Sequence, residues 1–140
     1  MKEASLYRVI DANLNRAREG LRVMEEVARF IVETKKFAKK IKALRGQLQK
    51  AIKQIPSPEK IVLSRNSSGD IGKELNPKTE FKRDSLSGLF QANAKRVQEA
   101  LRVLEEFSKL LAGGKATSTS FKALRFKVYQ TEKDFIKAHH

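Results

Sequence analysis

Apolar residues in the first third of the chain recur at helical steps: Ile10, Leu14, Ala17, Leu21, Met24, Ala28 and Ile31. Steps of three and four residues put them on one stripe of an amphipathic helix. Phe37, Ile41, Leu44, Leu48 and Ile52 repeat the pattern, and Pro56 and Pro58 forbid its continuation. A third periodic segment runs from about Ser85 to Leu111 and stops at Gly113-Gly114. A fourth follows the cluster Thr117-Ser118-Thr119-Ser120, which the residue types predict to be its N-cap, and carries Phe121, Leu124, Val128 and Phe135.

The third and fourth segments restate the first and second. Asp11-Ala-Asn-Leu-Asn-Arg-Ala-Arg-Glu-Gly-Leu-Arg-Val-Met-Glu-Glu26 aligns with Gln91-Ala-Asn-Ala-Lys-Arg-Val-Gln-Glu-Ala-Leu-Arg-Val-Leu-Glu-Glu106 at an offset of 80 residues. Without a gap, the same offset pairs Ser5-Leu6 with Ser85-Leu86 and Lys42-Ala-Leu-Arg45 with Lys122-Ala-Leu-Arg125. Each copy is long enough for a helical hairpin, and two hairpins that must each bury an apolar stripe predict an all-α four-helix bundle with a pseudo-twofold axis. The expected organisation is a single domain over residues 1–140, with repeats at about 5–54 and 85–138. The segment from 56 to 84 is a central loop far longer than bundle connections usually are. Its one apolar run, Ile61-Val62-Leu63, predicts an extended stretch docked on the bundle.

On a helical wheel, Ala12, Arg16, Glu19, Val23 and Glu26 share one stripe, flanked by Arg22 and Asn13. Their counterparts Ala92, Arg96, Glu99, Val103, Glu106, Arg102 and Asn93 are all identical, whereas the apolar stripe has drifted: Leu14 answers to Ala94, Ala17 to Val97, Met24 to Leu104 and Ala28 to Ser108. Core positions need only volume and can drift together. A fixed set of Asn, Arg and Glu needs a chemical reason. If the first and third helices face each other, the two stripes form one cleft of guanidinium and carboxylate groups. The competing structural reading is a ladder of intrahelical pairs, Arg16–Glu19, Glu19–Arg22 and Arg22–Glu26, each worth about 0.2–0.5 kcal/mol. Gly20 and Ala100, small residues in mid-helix, point either to a close helix approach or to ligand contact.

Composition narrows the chemistry. Thirty Lys and Arg against 16 Asp and Glu give a net charge of +14, which favours anionic partners, although a lysine-rich surface can also be merely solubilising. Absent cysteine excludes disulfides and thiolate metal sites, and the only histidines, His139 and His140, stand at the tail and are set aside as a potential tag remnant. No nucleophile–histidine pair is therefore available. Neither a signal peptide nor a membrane-spanning run is present, so a cytoplasmic location without membrane association is expected. Gly113-Gly-Lys-Ala-Thr117 echoes only the end of a nucleotide-binding loop and reads as a helix terminator. The turn Ser67-Ser68-Gly69-Asp70 offers hydroxyls, backbone N–H groups for phosphate and a carboxylate for Mg²⁺.

Together the two long motifs, with Ser68-Gly69-Asp70-Ile71-Gly72 between them, resemble the monofunctional hydroxymethylpyrimidine-phosphate kinase family, which often forms the N-terminal domain of thiamine-phosphate synthases. The similarity covers nearly the whole chain in the right order. It stops short of any synthase domain, which leaves a stand-alone member and a piece of a fusion both open. The resemblance implies ATP-dependent phosphorylation of 4-amino-5-hydroxymethyl-2-methylpyrimidine phosphate to its diphosphate, in thiamine biosynthesis. An ionised phosphate oxygen needs no protein base, so catalysis reduces to positioning and charge neutralisation. On that reading Arg16, Arg96 and Arg65 hold phosphates; Ser67, Ser68 and Gly69 form the phosphate loop; Asp70 and Glu26 are candidate Mg²⁺ ligands. Asn13 and Asn93 would read the aminopyrimidine edge, with Arg22, Arg102, Glu19 and Glu99 orienting the rest. The rival readings are a non-catalytic pyrimidine-phosphate-binding or docking domain for a thiamine-phosphate synthase, and a nucleic-acid-binding bundle. Against the latter, the eight Phe and two Tyr fall mostly on the apolar stripes rather than among the basic residues, so no nucleic-acid partner is expected.

Overall fold

The computed structural model describes residues 1–75 and 82–139; residues 76–81 of the expected central loop, and His140, lie outside the described residues. The described residues are all helical or irregular, without a strand. Helix α1 (Glu3–Glu26) runs into a π-helical turn at Val27–Ile31, followed by α2 (Lys35–Lys53). A short α3 (Glu59–Leu63) precedes α4 (Leu86–Ser108) and α5 (Lys115–His139). Ser85 caps α4 by accepting the Gly88 N–H at 2.9 Å.

The four long helices close a ring: α1 packs on α4, α4 on α5, α5 on α2 and α2 on α1. Inside it the stripes read from the sequence meet as one core, including Ile10, Leu14, Leu21 and Met24 of α1, Ile41 and Leu48 of α2, Leu101 and Leu104 of α4, and Phe121 and Val128 of α5. Phe135 joins three helices, stacked on Phe90 at 3.8 Å between ring centroids and edge-on to Phe37 at 5.3 Å. Each such buried large side chain contributes about 1.5–3 kcal/mol relative to exposure. This is the expected bundle.

The hairpin turns also obey the repeat. Glu33 has φ +56° and its counterpart Gly113 has φ +68°, so both copies reverse through one left-handed residue at the same place. In the first copy that residue carries a side chain, which costs about 1–2 kcal/mol.

Two local expectations are corrected. The Ile61-Val62-Leu63 run docks, with Ile61 buried, but as a helical turn and not an extended stretch. Pro58 supplies a helix-compatible φ at its start, and Tyr7 Oη donates to the Pro56 carbonyl at 2.6 Å beneath it. The hydroxyls of Thr117 and Ser118 do not cap α5, which already starts at Lys115. They are buried instead, Thr117 donating to the Gln54 carbonyl at 3.3 Å and Ser118 to the Glu105 carbonyl at 2.8 Å. Gly114 sits so near the end of α4 that a Cβ there would fall 1.8 Å from the Ser108 carbonyl oxygen.

Candidate functional site

Helices α1 and α4 approach closely at Gly20. A Cβ on that residue would stand 2.5 Å from Val97 Cγ2 and 3.1 Å from the Asn93 carbonyl oxygen. Counting about 100° per residue from Gly20, Leu21 and Leu14 turn one way into the core. Arg16, Val23, Ala12 and Glu19 turn the other way, by about 40° to 100°. The repeat imposes the same arrangement on α4, whose core residues Leu101 and Ala94 are buried as their counterparts are. By this wheel the two stripes lie on the outer side of the α1–α4 seam, and Glu19, Arg22 and Val23 also line, with Arg18, a cavity of about 690 Å³ against Arg45, Leu48 and Gln49 of α2. Arg16, Glu19, Arg96 and Glu99 are exposed, so the expected cleft is an open face.

The ion-pair ladder forms only at one end of the stripe. Arg22 lies 3.6 Å from Glu25 and 3.8 Å from Glu26; Arg102 lies 3.5 Å from Glu105 and 3.2 Å from Glu106. Lys109, at 2.9 Å, holds the Glu106 carboxyl below its usual range by hydrogen bonding. By contrast Glu19, Glu99 and Arg96 make no ion pair with a described residue, and Arg16 donates only to Asn13 Oδ1 at 3.3 Å. Asn13 and Asn93 each donate Nδ2 to the carbonyl four residues back, Val9 at 2.8 Å and Leu89 at 2.9 Å. That fixes both amides in one orientation.

Sequence reasoning missed a second duplicated polar pair. Glu25 and Glu105, each only 5 % exposed, accept Arg45 and Arg125 from the second helix of their own hairpin. Arg125 grips Glu105 Oε1 through Nη2 at 2.9 Å and Nε at 3.3 Å. All four residues obey the offset of 80, and both members of each pair stood within the aligned segments.

The 56–72 part of the central loop is tied to the first copy. Arg65 donates Nε and Nη2 to the two carboxylate oxygens of buried Asp11, at 2.8 and 2.7 Å, and this hydrogen bonding raises the Arg65 pKa. Arg8 donates to the Asn66 carbonyl at 3.3 Å. Within the turn, Asn66 Oδ1 accepts Gly69 N–H at 2.9 Å and Ser68 Oγ at 3.3 Å, while Asp70 Oδ1 accepts Gly72 N–H at 2.8 Å. A cavity of about 270 Å³ opens there, lined by Arg8, Asp11, Asn15, Arg65, Ser67 and Asp70 among others. Arg65, Ser67 and Asp70 are thus brought together, with Ser68 and Gly69 in the same turn. Glu26 is not. Asp70 shares its cavity with Ala12 and Asn15, and Glu26 is eleven residues further along α1, about 16 Å by helical rise. One Mg²⁺, with ligands near 2.1 Å, cannot take both carboxylates. Among the described residues no cluster of three His, Cys, Asp or Glu is placed to hold a metal. Among the described residues, no helix is long and apolar enough to cross a membrane.

Comparison with known proteins adds what geometry cannot. The model of the ThiD2 family matches residues 8–134. The thiamine-phosphate synthase of Nostoc punctiforme is 43% identical over 131 residues, covering 94% of this chain and 35% of the relative. The thiamine-phosphate synthase of Synechocystis sp. is 41% identical over 135 residues, 94% of this chain and 37% of its own length. That of Rhodopirellula baltica is 34% identical over 127 residues, with shares of 91% and 33%. The chain thus spans about a third of the curated relatives it matches. No solved structure matches.

Proposed function

The chain belongs to the ThiD2 family, and from that premise we propose that it serves thiamine biosynthesis by binding 4-amino-5-hydroxymethyl-2-methylpyrimidine phosphate on the α1–α4 seam and phosphorylating it with ATP. What supports this reading is the exposed set Arg16, Glu19, Arg96 and Glu99, kept in both copies, none of which forms an ion pair with a described residue. Charged side chains that need only solubility do not have to be the same residues at the same register on two helices.

The step is a phosphoryl transfer. A phosphate oxygen of the pyrimidine substrate forms a bond to the γ-phosphorus of ATP; the bond from that phosphorus to the β,γ-bridging oxygen breaks, and its electron pair leaves with ADP. Charge spreads over the three equatorial oxygens, and Arg16 and Arg96 would neutralise it from the two sides of the seam. Glu19 and Glu99 would accept from donors such as the aminopyrimidine amine, while Arg22 and Arg102, already paired with carboxylates of their own helices, would orient the neighbouring groups. Mg²⁺ commonly takes one or two carboxylates plus substrate phosphates, a donor set to which Asp70 would contribute. Arg65 would join the phosphates only by exchanging Asp11 for them.

A second reading is favoured by the relatives: they are named thiamine-phosphate synthases and are about three times as long. On it this domain binds the pyrimidine phosphate without turnover and docks to, or is part of, such a synthase. One incubation separates the two. With Mg-ATP and the pyrimidine phosphate, the first reading yields stoichiometric ADP and pyrimidine diphosphate; saturable binding of the pyrimidine phosphate without ADP supports the second.

A further inference from the structure

The hairpin turns carry another pair of repeat-related features, away from the seam. Beside each buried glutamate opens a cavity, about 420 Å³ in the first hairpin and about 330 Å³ in the second. The second is lined by Glu105, Lys109, Lys115, Ser118, Thr119 and Lys122. Subtracting the offset of 80 turns every one of these into a residue lining the first. Three cations correspond in charge: Arg29 with Lys109, Lys35 with Lys115, and Lys42 with Lys122. Lysines scattered for solubility would not converge twice on the same hollow.

The carboxylate beside each hollow does not neutralise them. Glu25 is held by Arg45 and Arg22, and Glu105 by Arg125 and Arg102. The copies then diverge. In the first, Arg29, Lys35, Lys39 and Lys42 form no ion pair with a described residue, Arg29 resting only on the ring of Phe30. In the second, Thr119 replaces Lys39, and Lys109 is drawn to Glu106 at 2.9 Å. Four free cations face one remaining acid, Glu33, in the first cavity; two free cations remain in the second.

We propose that the first cavity is an oligophosphate-binding site, taking a diphosphate or longer phosphate chain, and that the second is its weaker copy. A monophosphate, with about −1.5 to −2 charge, would leave the first cluster under-neutralised, whereas a second phosphoryl group matches it. The site is independent of the seam: Arg29 is thirteen residues from Arg16, about 20 Å along the helix.

Inorganic pyrophosphate is the probe, titrated calorimetrically at fixed ionic strength into the full chain. Three proteins are compared: the natural sequence, the triple variant Lys35→Gln/Lys39→Gln/Lys42→Gln, and a control triple Lys50→Gln/Lys53→Gln/Lys127→Gln that removes the same charge outside both cavities. The cavity triple is expected to bind at least about 100-fold more weakly, since it removes three charge-assisted contacts at once. The control is expected to change by less than about threefold. Equal losses in the two triples, or no saturable binding by the natural sequence, overturn the proposal. Repeating the titrations in an Arg16→Ala/Arg96→Ala background removes diphosphate held at the seam, so failure of either site shows separately. ADP as a second titrant identifies the source: matching affinity points to a nucleotide tail and markedly weaker affinity to free diphosphate, and either supports the site if the cavity triple weakens it as it weakens pyrophosphate.

Discussion

Replacing Gly20 by alanine tests the packing that holds the seam together. On an isolated helix the change would gain about 1 kcal/mol from helix propensity. Here the added methyl meets Val97 Cγ2 at 2.5 Å and the Asn93 carbonyl at 3.1 Å. Val97 is fully buried and β-branched, so its methyl cannot rotate away cheaply, and the carbonyl moves only with α4. Overpacking of this kind costs about 1–3 kcal/mol, and with both obstacles present the upper end applies, leaving a net loss near 2 kcal/mol. For a domain of this size that lowers Tm by roughly 6–8 °C. Val97→Ala alone removes buried methyls and should cost about 2–3 kcal/mol. The double variant imitates the register of the other copy, where Ala100 stands at the Gly20 position and Ala17 at the Val97 position. It removes the contact with Val97 but not that with the Asn93 carbonyl, so its loss should fall about 1–2 kcal/mol short of the summed singles. Urea denaturation of the four proteins reads the cycle. A stabilised Gly20→Ala, or strictly additive variants, would refute the close approach.

Three further outcomes follow from the repeat. Arg125→Met should lose about 3 kcal/mol by leaving Glu105 buried without its main partner, and Arg45→Met about half that, because the Arg45 side chain is 34% exposed against 11% for Arg125; equal denaturant midpoints for the two would contradict this. Ser108→Ala should stabilise by about 1 kcal/mol, since its buried Oγ has no partner and Ala28 fills that place in the other copy; a lower melting temperature would count against it. Glu33→Gly should gain about 1 kcal/mol by relieving the left-handed side chain, and in the pyrophosphate titration it should tighten binding by removing the one free acid of the first cavity.

The bundle was legible because one offset aligned both hairpins, and the burial of Ile10, Leu14, Leu21 and Met24 follows directly from their spacing. What escaped has physical reasons. Glu25 and Arg45 lie twenty residues apart on different helices, and no wheel drawn for one helix reveals a partner on another. The same filter that selected residues shared by both copies discarded Asp11, whose counterpart is Gln91, and with it the anchor for Arg65. A short apolar run such as Ile61-Val62-Leu63 fits a strand or a helical turn equally well until its neighbours decide. Thr117 and Ser118 look like caps by residue type, yet their hydroxyls are used across the bundle because Gly114 draws the start of α5 against the end of α4.

Turnover of the pyrimidine phosphate by Arg16→Ala and Arg96→Ala, measured beside their denaturant midpoints, tests the central claim most directly. Both side chains are exposed, and Arg96 has no ion-pair partner among the described residues. Removing either should therefore leave stability within about 0–1 kcal/mol of the natural sequence. If they neutralise charge on the transferring phosphoryl group, ADP formation with Mg-ATP should fall by about 10²–10³ in kcat for each. Two variants that turn over like the natural protein would remove the seam from the chemistry.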